Sequence, residues 1–248
     1  MNSRIPASLR VIGHSIVDWW DGWLSIVMVI LALFVCLFTV VLIGPAIFGL
    51  YYVVYNMING EALGLGGMFE GAKRYFWKSQ LWFVMNAVVI LLAWFNIRFY
   101  GGIQAAWGVY VLLIVMMLTG LWFATQFYAL PFFMEQDNKK LRMALRNGFY
   151  TAMAAPFYTM MLMLLSAVVL ALSIGLFIPF FLGLPGLIPM LGFHAMYDRL
   201  ESFGLREREK TPKEIEYEEG AKSVMSPFVR PETEQPKTRW GRRSDRNR

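Results

Sequence analysis

His194 lies at the end of the last long apolar stretch, with Asp198 beside it. An imidazole next to a carboxylate makes a pH-sensitive contact or an interfacial histidine with an acidic neighbour, and the second is the commoner arrangement. Within the apolar stretches the polar positions are Asn86, Thr119, Thr125, Gln126, Ser166 and Ser173. Ionisable groups inside a membrane segment are default functional sites. Here the deep positions carry only amides and hydroxyls, so no proton relay or ion coupling is expected. Asn86 and Gln126 suit hydrogen bonds between helices. Glu61 is a lone acid in the glycine-rich segment Asn59 to Gly67. Glu135 with Asp137 could bind a cation or cap a following helix at Asn138.

Other chemistry is missing from the pattern. Two histidines, His14 and His194, and one cysteine, Cys36, make no metal-ligand cluster. There is no Ser/His/Asp set, HExxH run or phosphate loop. No catalytic, cofactor or metal residues are therefore expected, and a non-enzymatic protein is favoured. The polar positions with a functional reading are Glu61, Asn86, Gln126, His194 and Asp198. Cys36 reads as an apolar packing residue.

The elements that hold these residues are apolar. The chain of 248 residues is 57% hydrophobic and 16% charged, against about 25% charged in soluble domains. Residues 24–43, 79–95, 105–130 and 157–195 contain no Asp, Glu, Lys or Arg. Runs of roughly 20 apolar residues predict transmembrane helices. The fold class is all-α, a polytopic membrane helix bundle. Its segments are 24–43, 46–58, 79–95, 104–130, 156–174 and a last one, 176–193, interrupted by Pro179, Gly183, Pro185, Gly186 and Pro189.

Gly44-Pro45 separates the first two segments. Gly favours a helix end and Pro a helix start. If this pair is the turn of a hairpin, the chain crosses six times. If it is only a kink, the chain crosses five times, but a 35-residue helix would then be about 52 Å long, too long for one crossing. Six crossings are favoured, with Gly44 and Pro45 as the structural hinge.

Three stretches read as amphipathic helices at the interface: Ser8 to Trp23, Met68 to Lys78 and Lys139 to Ala155. Trp19, Trp20 and Trp23 fit an aromatic belt at headgroup depth. Basic residues cluster at Arg4 and Arg10; at Lys73, Arg74 and Lys78; at Lys139, Lys140, Arg142 and Arg146; and at Arg199 with the tail. The positive-inside rule places these clusters and the C-terminus in the cytoplasm, and Arg98 outside. The same bases are expected to contact anionic lipid headgroups. Residues 1–204 form the membrane domain. Residues 205–248 are charged, proline-containing and poor in aliphatics, and predict a disordered tail. The formal charge of +6 is explained by loops beside spans, without a nucleic-acid partner. Two units, 68–95 and 139–174, each run as a basic amphipathic helix followed by a span and suggest a diverged repeat.

The order Gly44-Pro45-Ala46, Leu50-Tyr51-Tyr52, Gly60-Glu61, then Phe69, Lys73, Phe76 and Lys78, resembles the YesL-like bacterial membrane proteins. A second block, with Pro131, Leu141, Ala144, Asn147, Pro156 and Thr159, matches more loosely. Together the blocks cover roughly residues 10–195. The family's function is uncharacterised and it brings no catalytic residues to carry over. The resemblance implies a multi-pass protein of the bacterial cytoplasmic membrane, and an accessory role beside an ABC transporter for carbohydrate uptake. No ATP-binding motif is present, so transport would need partner subunits. The alternatives are a permease in its own right and a membrane enzyme acting on lipid or glycan.

Overall fold

The computed structural model describes residues 7–205, except 62, 104 and 177. The tail beyond residue 205, and with it the expected disorder and the tail's basic residues, lies outside the described residues, as does Arg4. Among the described residues every regular element is helical: α1 (Ala7–Asp21), α2 (Trp23–Leu37), α3 (Val40–Ile58), α4 (Gly64–Arg74), α5 (Phe76–Gly101), α6 (Ala106–Glu135), α7 (Leu141–Ala154), α8 (Pro156–Leu176), α9 (Ile178–Phe181), a 3-10 turn (Leu184–Gly186) and α10 (Leu187–Ser202).

Among the described residues four helices are long and apolar enough to cross a membrane: α3, α5, α8 and residues Trp107–Glu135 of α6. A fifth candidate is the pair α1 and α2, bent by 85°. The chain is thus built like an integral membrane protein. Two of the expected segments are not single long helices. The first, 24–43, stops at Leu37, and the last, 176–193, is divided among α9, the 3-10 turn and the start of α10. Gly183 sits at positive φ (83°) between α9 and the 3-10 turn, and the prolines around it withdraw backbone donors.

Gly44-Pro45 is not the break between helices. α3 runs through both residues, and the break lies upstream at Phe38-Thr39, where Thr39 is extended (φ −119°, ψ 105°). α2 and α3 nonetheless pack against each other. Gly22, at the start of α2, lies against Met57, near the end of α3, so the two helices run antiparallel. The helix survives Pro45 because its lost hydrogen bond is replaced from outside. Proline has no N–H for the Val41 carbonyl four residues back. The Gln80 side chain of α5 donates to that carbonyl instead, at 2.5 Å. Gly44 lets α5 come this close: a Cβ there would stand 2.8 Å from the Ser79 carbonyl oxygen.

The core gathers around the second half of α3, the last turns of α6, and α4 and α10. Phe48, Met68, Tyr128, Phe133, Phe193 and Met196 are fully or almost fully buried there. Phe133 is the aromatic centre: its ring lies 5.2 Å from Phe48 and 5.3 Å from Tyr75, both edge-on, the geometry aromatic pairs prefer. The rest of α5 and α6 is different. Leu81, Leu91, Trp94, Tyr110, Ile114 and Met117 are exposed on those helices, as side chains facing lipid would be.

α4 and α7 each precede a long apolar helix by one residue, Tyr75 or Ala155. Each also packs back on the long helix before it. A Cβ on Gly49 of α3 would stand 2.5 Å from the Met68 carbonyl oxygen of α4, and one on Gly148 of α7 would stand 2.7 Å from that of Thr125 in α6. The order long, short, long therefore occurs twice, as α3–α4–α5 and α6–α7–α8.

Candidate functional site: the α1–α10 seam and the paired amides

α1 carries Arg10, His14 and Asp18 at successive four-residue intervals, which places them along one helical stripe. α10 presents His194 and Asp198 to that stripe. His194 Nε2 and Asp18 Oδ2 are 2.7 Å apart. The His14 and His194 rings are 5.9 Å apart. Arg10 donates to Asp198 Oδ1, and Arg199 donates to Asp198 Oδ2 at 2.5 Å. His194 and Asp198 are thus neighbours on α10, yet each takes its partner from elsewhere. The expected His194–Asp198 contact is replaced by His194–Asp18.

The seam is also tied to α8 and to the broken segment. The Arg199 guanidinium lies 4.1 Å above the Tyr158 ring. Trp19 Nε1 donates to the Gly183 carbonyl at 2.9 Å, and Trp23 Nε1 to the Leu182 carbonyl at 3.0 Å. Irregular apolar backbone needs such donors. These tryptophans hold it in place.

The seam is built of charged contacts between α1 and α10. The Asp198 side chain is 5% exposed, with a guanidinium on each oxygen. The Asp18–His194 pair is the more open part, with Asp18 34% exposed. Among the described residues no group of three or more His, Cys, Asp or Glu is arranged to hold a metal ion.

Asn86 and Gln126 fall into a second constellation between α5 and α6. Trp82 Nε1 donates to Gln126 Oε1 at 2.8 Å, and Trp122 Nε1 donates to Asn86 Oδ1 at 3.1 Å. Each helix supplies one tryptophan and, four residues on, one amide. The antiparallel pairing crosses them. The hydroxyls of Thr119, Thr125, Ser166 and Ser173 donate to carbonyls four residues back in their own helices.

Two further acids lie outside both constellations. The cap expected at Asn138 is not found: α7 starts at Leu141 with Lys140 in the capping position. The Tyr197 hydroxyl donates to Glu135 at 3.0 Å. Glu61 is exposed in the loop before α4. Beside Glu135, Lys139 turns inward with φ 43°, donates to the Met134 carbonyl and lies 5.6 Å above the Tyr55 ring. Burial lowers its ammonium below the usual lysine value, with Arg74 and Lys78 adding to the shift while Glu135 and Asp137 oppose it.

Arg10, Asp18 and Arg199 were not legible as site residues. The sequence signals were the four-residue spacing of Arg10, His14 and Asp18, which also suits a solvated helix face, and the basic character of Arg10 and Arg199 beside spans. No protein-family model, no curated protein and no solved structure matches this chain.

Proposed function

We propose that the chain is a multi-pass protein of a bacterial cytoplasmic membrane, YesL-like in kind, acting as a non-enzymatic accessory or scaffold beside a transport system, with carbohydrate uptake as the transport class. The observation that carries this reading is the crossed pairing of Asn86 and Gln126 with Trp122 and Trp82. The amide oxygens between the long apolar helices accept hydrogen bonds from the facing helix, as scaffold residues would.

The topology that fits is six passes with both termini in the cytoplasm. Four passes are the long helices. α2 and the descending segment from α9 into α10 complete the other two. The contacts of Phe34 in α2 with Phe180 and Phe181, and of Trp19, just before α2, with Gly183, support a return of this segment beside α2. α1, α4 and α7 then lie at the cytoplasmic interface, with Lys73, Arg74, Lys78, Lys139, Lys140, Arg142 and Arg146 near anionic headgroups.

A second reading, a permease in its own right, is favoured by the interrupted backbone at Leu182-Gly183, held by Trp19 and Trp23. Purification in mild detergent separates the two. Stoichiometric recovery of ATPase and permease subunits supports the accessory role. Substrate flux by this protein alone in liposomes overturns it. A periplasm-active reporter is expected to work after Gly101 and to fail after Gly60.

A further inference from the structure

Lys140, Arg142, Met143 and Arg146 line an open cavity of about 390 Å³ at the start of α7. Ligand sites run roughly 300–1,000 Å³, so a headgroup fits. No acid lines it, and among the described residues none of its three bases forms an ion pair. Arg142 and Arg146 are one helical turn apart, so their guanidinium forks can close on one anion. The free N–H groups and dipole of the 14-residue α7 add positive potential at the same end.

The surface leading away from the cavity is apolar. Met143 lines it, and Tyr150 and Phe157 follow at seven-residue steps, exposed by 63% and 86%. Seven residues is close to two helical turns, so Met143 and Tyr150 share a stripe of α7. Phe157 begins the next long helix, α8, one of the four that can cross a membrane.

We propose that this cavity seats the phosphate of an anionic phospholipid, with its acyl chain lying along Met143, Tyr150 and Phe157 toward α8. A soluble phosphate would use the three bases but leave the apolar stripe bare. The combination of cations and stripe selects the lipid. The inference rests on the membrane reading above and sharpens a general attraction to anionic lipid into one site. It does not depend on any transporter partner.

The test uses the full-length protein purified in a neutral detergent, with bound lipid counted by native mass spectrometry. The probes are phosphatidylglycerol, phosphatidylcholine and inorganic phosphate. The expected result is preferential retention of phosphatidylglycerol, cut roughly tenfold to thirtyfold in Arg142→Gln/Arg146→Gln, since a base near an anionic surface contributes about 1 kcal/mol. Tyr150→Ser, which leaves the bases intact, is expected to weaken phosphatidylglycerol retention without affecting phosphate. A Lys73→Gln/Arg74→Gln protein, changed on α4, retains the lipid as the unchanged protein does. Equal retention of the two lipids, undiminished retention in the α7 double variant, or displacement of phosphatidylglycerol by inorganic phosphate overturns the proposal. Extraction of the protein from membranes by alkaline carbonate would overturn the membrane reading instead.

Discussion

The Gln80 side chain of α5 donates to the Val41 carbonyl of α3, the carbonyl that Pro45 leaves without its helical partner. One helix thus repairs a defect in another, and the repair joins them. Gln80→Leu is expected to destabilise the protein by about 1 kcal/mol, the net value of a typical hydrogen bond. Pro45→Ala restores a backbone N–H to Val41, so in that background Gln80→Leu should cost clearly less. A double-mutant cycle on thermal midpoints in detergent measures the coupling. Equal costs in the two backgrounds would show that Gln80 is not the replacement donor.

Gly44 provides the approach that makes this bond reachable. A Cβ at Gly44 would meet the Ser79 carbonyl oxygen at 2.8 Å, and backbone cannot swing aside as a side chain can. Gly44→Ala is expected to cost about 1–3 kcal/mol through overpacking. Gly66 in α4 has nothing within 4 Å of its would-be Cβ and no positive φ. Gly66→Ala should therefore stabilise by about 0.5–1 kcal/mol, because alanine loses less backbone entropy in a helix. Thermal midpoints moving in opposite directions are the signature.

Asp198 joins α1 and α10 through Arg10 and Arg199. Asp198→Asn leaves two guanidiniums facing a neutral amide. The expected loss is about 2–3 kcal/mol, below the roughly 3–5 of a fully buried pair because Arg10 is half exposed. The loss should appear first as release of α1. A Ser15→Cys reporter on the buried face of α1 is expected to react with a thiol reagent faster in the Asp198→Asn background. Unchanged labelling would place the latch elsewhere, in the Trp19 and Trp23 bonds.

Lys139 gives the pH dependence a sign. Its folded pKa lies below the ordinary 10.5, chiefly because burial opposes the charge. Between the two values the unfolded chain holds the proton more tightly than the folded one. Stability contributed by this group therefore rises with pH through the window just below 10.5. Lys139→Met removes that rise. Thermal midpoints of the two proteins, followed with increasing pH up to this window, should converge as the native lysine loses its proton.

Membrane character was legible because it depends on composition over windows of about 20 residues, which no tertiary contact can alter. The long helices α5, α6 and α8 and the short helices ahead of α5 and α8 were readable in this way, and the residue types of Asn86 and Gln126 pointed to hydrogen bonds between helices. The identity of the amide partners was not readable. An amide in a span signals a hydrogen bond, and only the facing helix determines whether a tryptophan stands at the right height.

Gly44-Pro45 shows the limit most clearly. Local chemistry ends a helix there, because glycine relaxes the backbone and proline removes a donor. The tertiary structure reverses the outcome by bringing a donor from α5, and the real turn falls at Phe38-Thr39, where no glycine or proline stands. The same reason separates His194 from its expected partner. Asp198 is near in sequence, but α1 brings Asp18 to the imidazole and engages Asp198 with Arg10. Sequence determined which residues are apolar, basic or able to form hydrogen bonds. Only the packing of distant helices decided which of those capacities meet, because a hydrogen bond or ion pair is satisfied by whatever group lies within about 3 Å, however far away it is along the chain.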